Sequence, residues 1–379
     1  MCTHERLYFS KLLTPKGSLL QDFNPKEYHH LLEIKIRNLK KIFSSTTLPS
    51  IELYESAPLN YRMRAEFRIW HEDGVAFYAM NTPGNKVPYI VTEFPIGSKK
   101  INELMAPLLK IINKDHILKN KLFSAEFLTT LGGDAVVTLI YHRQLDDEWE
   151  KAATNAHEKL NINIIGRSRK KKTVIGLDYV VEKLPIDGTE YQYKQVETGF
   201  TQPNARINQA MLKWALKQTL KSKGDLLELY CGNGNFTCVL AQNFKKVLAT
   251  EISKISVNSA LFNLKENNIR NVIVCRMSSE EITQALDKAR LFRRLKNIDL
   301  DDYDFSTIFV DPPRAGLDEQ TLNLIRKFDN ILYISCNPKT LMENISVISS
   351  THIIKSFAIF DQFPYTSHLE CGVFLNLKK

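Results

Sequence analysis

Leu229-Tyr230-Cys231-Gly232-Asn233-Gly234-Asn235-Phe236 joins an apolar strand-like run, DLLELY, to a helical stretch. Its two glycines let the backbone turn sharply and pass close to a ligand. A dinucleotide fold carries a third glycine where this chain has Thr237, so that a helix N-terminus can hold pyrophosphate. The pattern argues against NAD and for a nucleoside ligand without phosphate, of which S-adenosylmethionine is the expected one. Glu251 follows Gly234 by seventeen residues and ends the next strand-like run, where a carboxylate can accept hydrogen bonds from both hydroxyls of a ribose.

Outward from this loop, apolar runs alternate with helical stretches through the C-terminal half: KKVLATE, NVIVCRM, STIFVD, NILYISC, SFAIFDQ and CGVFLNL. That alternation predicts an α/β fold with a Rossmann-like doubly wound sheet over residues 201–379. The last two runs are expected to pair as an antiparallel hairpin at one edge. Residues 1–200 read differently. Asn24-Pro25-Lys26-Glu27 is a helix start, with a cap, a proline at the first position and a capping-box acid. Tyr28, Leu31, Leu32, Leu39, Ile42 and Phe43 then keep helical spacing. Over about 50–180, AEFRIW, the turn at Asp73-Gly74, VAFY and AVVTLIY predict a smaller α+β region.

The chain has 379 residues, 44% hydrophobic and 25% charged, enough for two cores, and a net charge of +9 that suits a polyanionic partner. The excess is spread about evenly over the two halves, so local clusters carry more: Arg62, Arg64 and Arg68; the run Arg167, Arg169, Lys170, Lys171 and Lys172; and Lys288 to Lys296. Each reads either as a solvated face or as a phosphate-binding surface. Six cysteines form no C-x-x-C pair and no Cys/His spacing for zinc or iron–sulfur, so no metal and no iron–sulfur cluster are expected. MCTHERLYFS lacks the apolar run of a signal peptide, and no segment approaches membrane-spanning length. The expectation is a cytoplasmic protein with no membrane partner.

Three segments at strand ends carry chemistry: Asp311-Pro312-Pro313-Arg314, Ser335-Cys336-Asn337-Pro338 and His368-Leu369-Glu370-Cys371. In a doubly wound sheet these ends face one crevice. Cys336 precedes Asn-Pro and a helix, where the helix dipole and nearby cations are expected to favour thiolate. Cys231, Cys275 and Cys371 read as packing, and Cys2 has no constellation. Glu370 reads as a proton acceptor or as a salt-bridge partner. A thiolate and a base together suit methylation at pyrimidine C5, a poor nucleophile until addition at C6 turns it into an enolate carbon. Arg314 or Asn337 are candidate donors to the enolate oxygen.

These segments, with YRMRAEFRIWH (61–71), FTQPNARIN (200–208), ATEISK and FDQFPYTSHLECGV, make the chain resemble the bacterial tRNA (uracil-5-)-methyltransferases from about Tyr61 to the C-terminus. The resemblance implies methyl transfer from S-adenosylmethionine to C5 of the T-arm uridine of tRNA, with transfer-messenger RNA (tmRNA) as a second substrate. It also implies Cys336 as nucleophile, Glu370 as proton acceptor, and Gln202, Tyr230, Asn235, Glu251 and Asp311 as cofactor contacts. Relatives acting on ribosomal RNA usually add a β-barrel and a four-cysteine iron–sulfur site, which this chain lacks. Alternatives are a ribosomal-RNA uridine C5 methyltransferase and an RNA-binding or tRNA-folding protein with secondary methylation. Arg62, Arg64, Arg68 and Phe123 are the candidate RNA contacts, cations for phosphates and a ring for a displaced base. The run Arg167–Lys172 matches no motif of the family.

Overall fold

The computed structural model describes residues 23–81 and 88–378; Cys2 lies outside them. Asn24 caps a single 3₁₀ turn, Pro25–Glu27, by accepting from the Lys26 amide, and α1 (Tyr28–Ile42) follows. Then come β1 (Ile51–Tyr54), β2 (Arg64–Glu72), β3 (Val75–Met80), β4 (Tyr89–Ile90) and α2 (Lys99–Lys114). Next are β5 (Leu122–Thr129), β6 (Ala135–Tyr141), α3 (Asp147–Leu160), β7 (Asn163–Ser168), β8 (Lys171–Ile175), β9 (Tyr179–Ile186) and β10 (Thr189–Val196). Strands β2 to β8 form a seven-stranded sheet in the order β4-β3-β2-β5-β6-β7-β8, whose core joins Phe67, Tyr78 and Phe127 of the strands to Leu104 and Leu108 of α2 and Trp149 of α3.

The second half runs α4 (Ala205–Thr219), β11 (Asp225–Leu229), α5 (Asn235–Leu240), β12 (Val247–Thr250), α6 (Lys254–Glu266), β13 (Val272–Cys275) and α7 (Ser279–Leu286). It continues with β14 (Phe305–Val310), α8 (Glu319–Ile325), β15 (Asn330–Ser335), α9 (Pro338–Ile348), β16 (His352–Phe360) and β17 (Glu370–Leu377). Its eight-stranded sheet has the order β1-β16-β17-β15-β14-β11-β12-β13. The chain leaves β11 toward β12 and β13 on one side and returns through β14 and β15 on the other, which opens a crevice above the strand ends between β11 and β14. All five β11 residues are buried, as a strand covered on both faces requires.

The structure corrects one expectation about the sheet. β16 and β17 do pair antiparallel, but they are not its edge: β17 inserts between β16 and β15, and β1 closes the outside by pairing parallel with β16, Ile51 opposite Phe357. Four residues from the first half of the chain thus complete the sheet of the second. Other elements also bridge the halves. Tyr28 and Leu32 of α1 enter the core of the seven-stranded sheet, while Leu39, and Phe43 just beyond the helix, enter that of the eight-stranded one. Leu184, Ile186, Tyr191 and Tyr193 of the β9–β10 hairpin pack with Trp214 of α4. No helix among the described residues is long and apolar enough to cross a membrane.

Candidate active site

The loop after β11 is shaped by backbone conformation. Tyr230, Gly232 and Gly234 all have positive φ, at 61°, 56° and 77°. Glycine adopts this region freely, whereas for tyrosine it costs on the order of 1 kcal/mol, a strain that persists where surrounding structure enforces it. A Cβ placed on Gly232 would meet no atom within 4 Å, so this backbone borders open space that a ligand can approach. The loop is pinned from outside: Glu251 accepts from the Gly232 amide at 3.0 Å and from the Ser253 amide at 2.7 Å. Beside it lies a cavity of about 410 Å³ whose wall includes Tyr230, Glu251, Ile252, Met277, Ser279 and Leu317. The wall combines apolar groups (Ile252, Met277, Pro313, Leu317) with the carboxylates of Glu251, Glu280 and Asp318 and the hydroxyls of Ser278 and Ser279, a mixture that suits a planar base and a hydroxyl-bearing ribose. Tyr230 is fixed there by a 2.8 Å hydrogen bond with Ser279.

Two further expected contacts are held by amide partners. Gln362 donates to the Gln202 carbonyl at 2.7 Å, leaving the Gln202 NH₂ for another acceptor. Asn235 exchanges two hydrogen bonds with Asn208, at 2.8 and 2.9 Å, which ties α5 to α4 and fixes the orientation of the amide. Asp311 follows β14; burial pushes its carboxyl up to about 7. Sequence reading overlooked Gln362, Asn208, Met277 and Ser279. The first two sit inside FDQFPYTSHLECGV and FTQPNARIN, whereas nothing local marks Met277 or Ser279 as pocket residues.

Cys336 and Glu370 come together through strand register. β15 and β17 are antiparallel with Ser335 opposite Cys371, so the next pair outward is Cys336 and Glu370. Glu370 acts on the Cys336 thiol, and Asp311 and Arg314 act on both. Burial first, then Asp311, pushes Glu370 up to about 8, with Arg314 opposing; burial, Glu370 and Asp311 push the Cys336 thiol up to about 12, again against Arg314. The sequence-based expectation of a favoured thiolate is therefore overturned for the protein without its ligands. Cys336 does lie just before α9, but desolvation and two carboxylates outweigh one helix terminus and one cation. The Asn337 side chain caps α9 by accepting from Lys339 and gives one of its two N–H donors to the Arg314 carbonyl at 3.1 Å. The Arg314 guanidinium is held 3.1 Å from the His368 ring. The other cysteines match their reading as packing: Cys231, Cys275 and Cys371 are buried.

The four proposed RNA contacts separate into two groups. Arg62 is buried and donates to the Arg64 carbonyl; Arg64 clasps the carbonyls of Val196, Glu197 and Gly199. These two guanidinium groups face the protein's own backbone, which corrects the expectation that they meet phosphates. Arg68 is exposed and lies over the Trp70 ring, and Phe123 stacks on His142 with ring centres 4.4 Å apart.

The family model for tRNA (uracil-5-)-methyltransferase matches residues 27–378. The tRNA/tmRNA (uracil-C(5))-methyltransferase of Cellvibrio japonicus is 55% identical over 354 residues, 93% of this chain and 97% of that protein. Its namesake from Saccharophagus degradans is 54% identical over 94% of this chain and 98% of its own length, and that of Vibrio cholerae 51% over 94% and 99%. In fold the chain is similar to the crystal structure of Pyrococcus abyssi tRNA (uracil-54, C5)-methyltransferase in complex with S-adenosyl-L-homocysteine. The TM-score is 0.71 at 21% identity, covering 94% of this chain and 85% of that one. With nearly its whole length matched by the family model and by relatives sharing half its residues, the chain belongs to the tRNA (uracil-5-)-methyltransferase family.

Proposed function

We propose that this protein transfers a methyl group from S-adenosylmethionine to C5 of the T-arm uridine of tRNA, position 54, and to the equivalent uridine of tmRNA. The observation that carries the reading is the register that sets Cys336 beside Glu370, with Asp311 acting on both, in the same sheet whose β11 and β12 lead into the Gly232 loop and Glu251. Gln202, Tyr230, Asn235, Glu251 and Asp311 would hold the cofactor, Glu251 at the ribose. When bound, S-adenosylmethionine supplies an electrophilic methyl on a positively charged sulfonium, a charge that offsets the carboxylates around Cys336.

The Cys336 thiol gives its proton up to bulk water, the Sγ thiolate adds to C6 of the uracil, and the electrons of the C5–C6 bond move to make C5 nucleophilic and O4 enolate-like. Arg314, held at His368 and close enough to act on both Cys336 and Glu370, would face that oxygen as its cation. After C5 has gained the methyl, Glu370 takes the C5 proton; the C5–C6 double bond re-forms and the thiolate leaves C6. Burial strengthens the conjugate base of this carboxyl as a proton acceptor, and the ionised fraction that can act grows as pH rises toward about 8. The target lies in a folded loop and must be swung out to reach the crevice. Residues 1–200 would carry the RNA, with Arg68 and Phe123 as contacts, and residues 201–379 the chemistry.

The test is tRNA containing 5-fluorouridine, whose C5 fluorine cannot leave as a proton does. Wild type with cofactor is expected to give a covalent protein–RNA adduct that Cys336→Ala does not form. An adduct of undiminished yield in Cys336→Ala sinks the assigned nucleophile. Mapping labelled methyl groups on total RNA tests the substrate: label chiefly in ribosomal RNA would move the assignment away from tRNA.

A further inference from the structure

The basic run that matches no family motif has a defined place. Arg167 and Ser168 end β7, Arg169 and Lys170 form the tip of the β7–β8 hairpin, and Lys171 and Lys172 begin β8. Together with the end of β6 and the residues after it, Arg167, Ser168, Arg169 and Lys170 line a groove of about 760 Å³. None of its nine lining residues is acidic, and it holds Arg143, Arg167, Arg169, Lys170 and His142.

The cations there differ in availability. Arg143 is a fixed wall, its guanidinium donating to the carbonyls of Ile117, Asn120 and Gln144. Arg167 is braced by Glu197, a buried carboxylate that also accepts from Thr138. Arg169 and Lys170 are exposed and have no acidic partner among the described residues. Lys170 also holds φ at 63°, a conformation that glycine or asparagine would adopt at lower cost. The rim continues onto aromatic surface, because His142, in the groove wall, stacks on Phe123.

The groove sits at the far end of the seven-stranded sheet from the crevice. The near end of that sheet, at Met63 and Thr129, is bonded to Pro203 beside Gln202. β6 starts at this end and runs away from it for seven residues to Tyr141 in the groove, on the order of 20 Å of strand. A polyanion that places one nucleotide in the crevice must be extended or rigid over that distance to meet these cations.

We propose that this groove is a phosphate-binding subsite for the backbone of the substrate RNA, remote from the flipped uridine, with Arg169 and Lys170 as its contacts. It rests on the RNA-substrate reading above and adds to it a second point of attachment. Because the contact is to phosphate, it sets affinity and orientation without reading sequence.

The experiment compares wild type, Arg169→Gln/Lys170→Gln and a charge-matched control, Lys221→Gln/Lys223→Gln, on intact tRNA. The control residues are exposed and lie after α4, away from the groove. The groove variant should raise Kd and KM about tenfold with kcat unchanged. It should also flatten the slope of log Kd against log salt by about 1.4 to 1.8, the release of counterions from two phosphates. The control should behave as wild type. Unchanged KM and salt slope in the groove variant, an equal loss in the control, or a fall in kcat alone would each overturn the subsite. A wild type that methylates no tRNA would instead overturn the functional reading, so the two failures are distinguishable.

Discussion

Replacing Glu370 with glutamine should stabilise the ligand-free protein, and by an amount that grows with pH. Glu370 is buried, and its carboxyl is raised from 4.5 to about 8 by burial and by Asp311. A group whose folded pKa lies above its unfolded value contributes stability that is fully present below the unfolded pKa and lost as pH rises through the folded one. Between those limits the loss is about 1.4 kcal/mol per pH unit, so up to about 5 kcal/mol over the whole window and about 3 kcal/mol between about pH 5 and 7.5. Glutamine keeps the shape and has no charge to bury. Urea unfolding of wild type and Glu370→Gln at several pH values within that range measures the difference. Asp311 and Glu228, whose carboxyls are also raised, are present in both proteins, so their own titrations largely cancel in the comparison. The expected result is a gap in unfolding free energy that widens steadily toward about pH 7.5, in a variant that no longer turns over. Parallel stability profiles would refute the reasoning, since they would mean that the crevice does not penalise the Glu370 charge.

Three further outcomes follow from single contacts. Lys35→Met should cost about 3–5 kcal/mol in denaturant unfolding, because it leaves Asp361, now 2.6 Å from the Lys35 Nζ, buried without its cation; Lys35→Met/Asp361→Leu should recover most of that, and failure to recover would refute the ion-pair explanation. Gly372→Ala should destabilise by about 1–3 kcal/mol, because a Cβ there would lie 2.7 Å from the Trp214 ring; an unchanged urea midpoint would show that the ring can give way. Glu251→Ala should weaken S-adenosylmethionine binding in calorimetry by at least tenfold, since it removes both the loop brace at Gly232 and the acid facing the cavity, about 1.5–3 kcal/mol for hydrogen bonds to a charged group; unchanged affinity would remove Glu251 from the cofactor site.

Much of the methyltransferase half was legible in the sequence because its signals are local. A strand run, two glycines, a helix and an acid at the next strand end lie within thirty residues, and each states its conformation through φ preference or periodicity. The Asn24 cap and the helix after it were legible for the same reason. The position of β1 was not, because four residues, Ile51–Tyr54, carry too little periodicity to say which sheet they join, and their partner lies some three hundred residues away. Arg62 and Arg64 misled because arginines clustered in sequence look the same whether they face solvent or the carbonyls of Val196, Glu197 and Gly199.

Cys336 shows most clearly where the sequence stops. By itself the sequence determined the doubly wound sheet, the loop at Gly232 and Gly234, and the residue types that C5 chemistry needs, all of which are set by neighbours a few positions away. The tertiary structure alone decided that Ser335 stands opposite Cys371, which brings Cys336 to Glu370 and Asp311 and drives its thiol up to about 12 rather than down. The reason is physical: desolvation and Coulomb interactions depend on distance through space, and residues from three separate strand ends meet only once the sheet has formed.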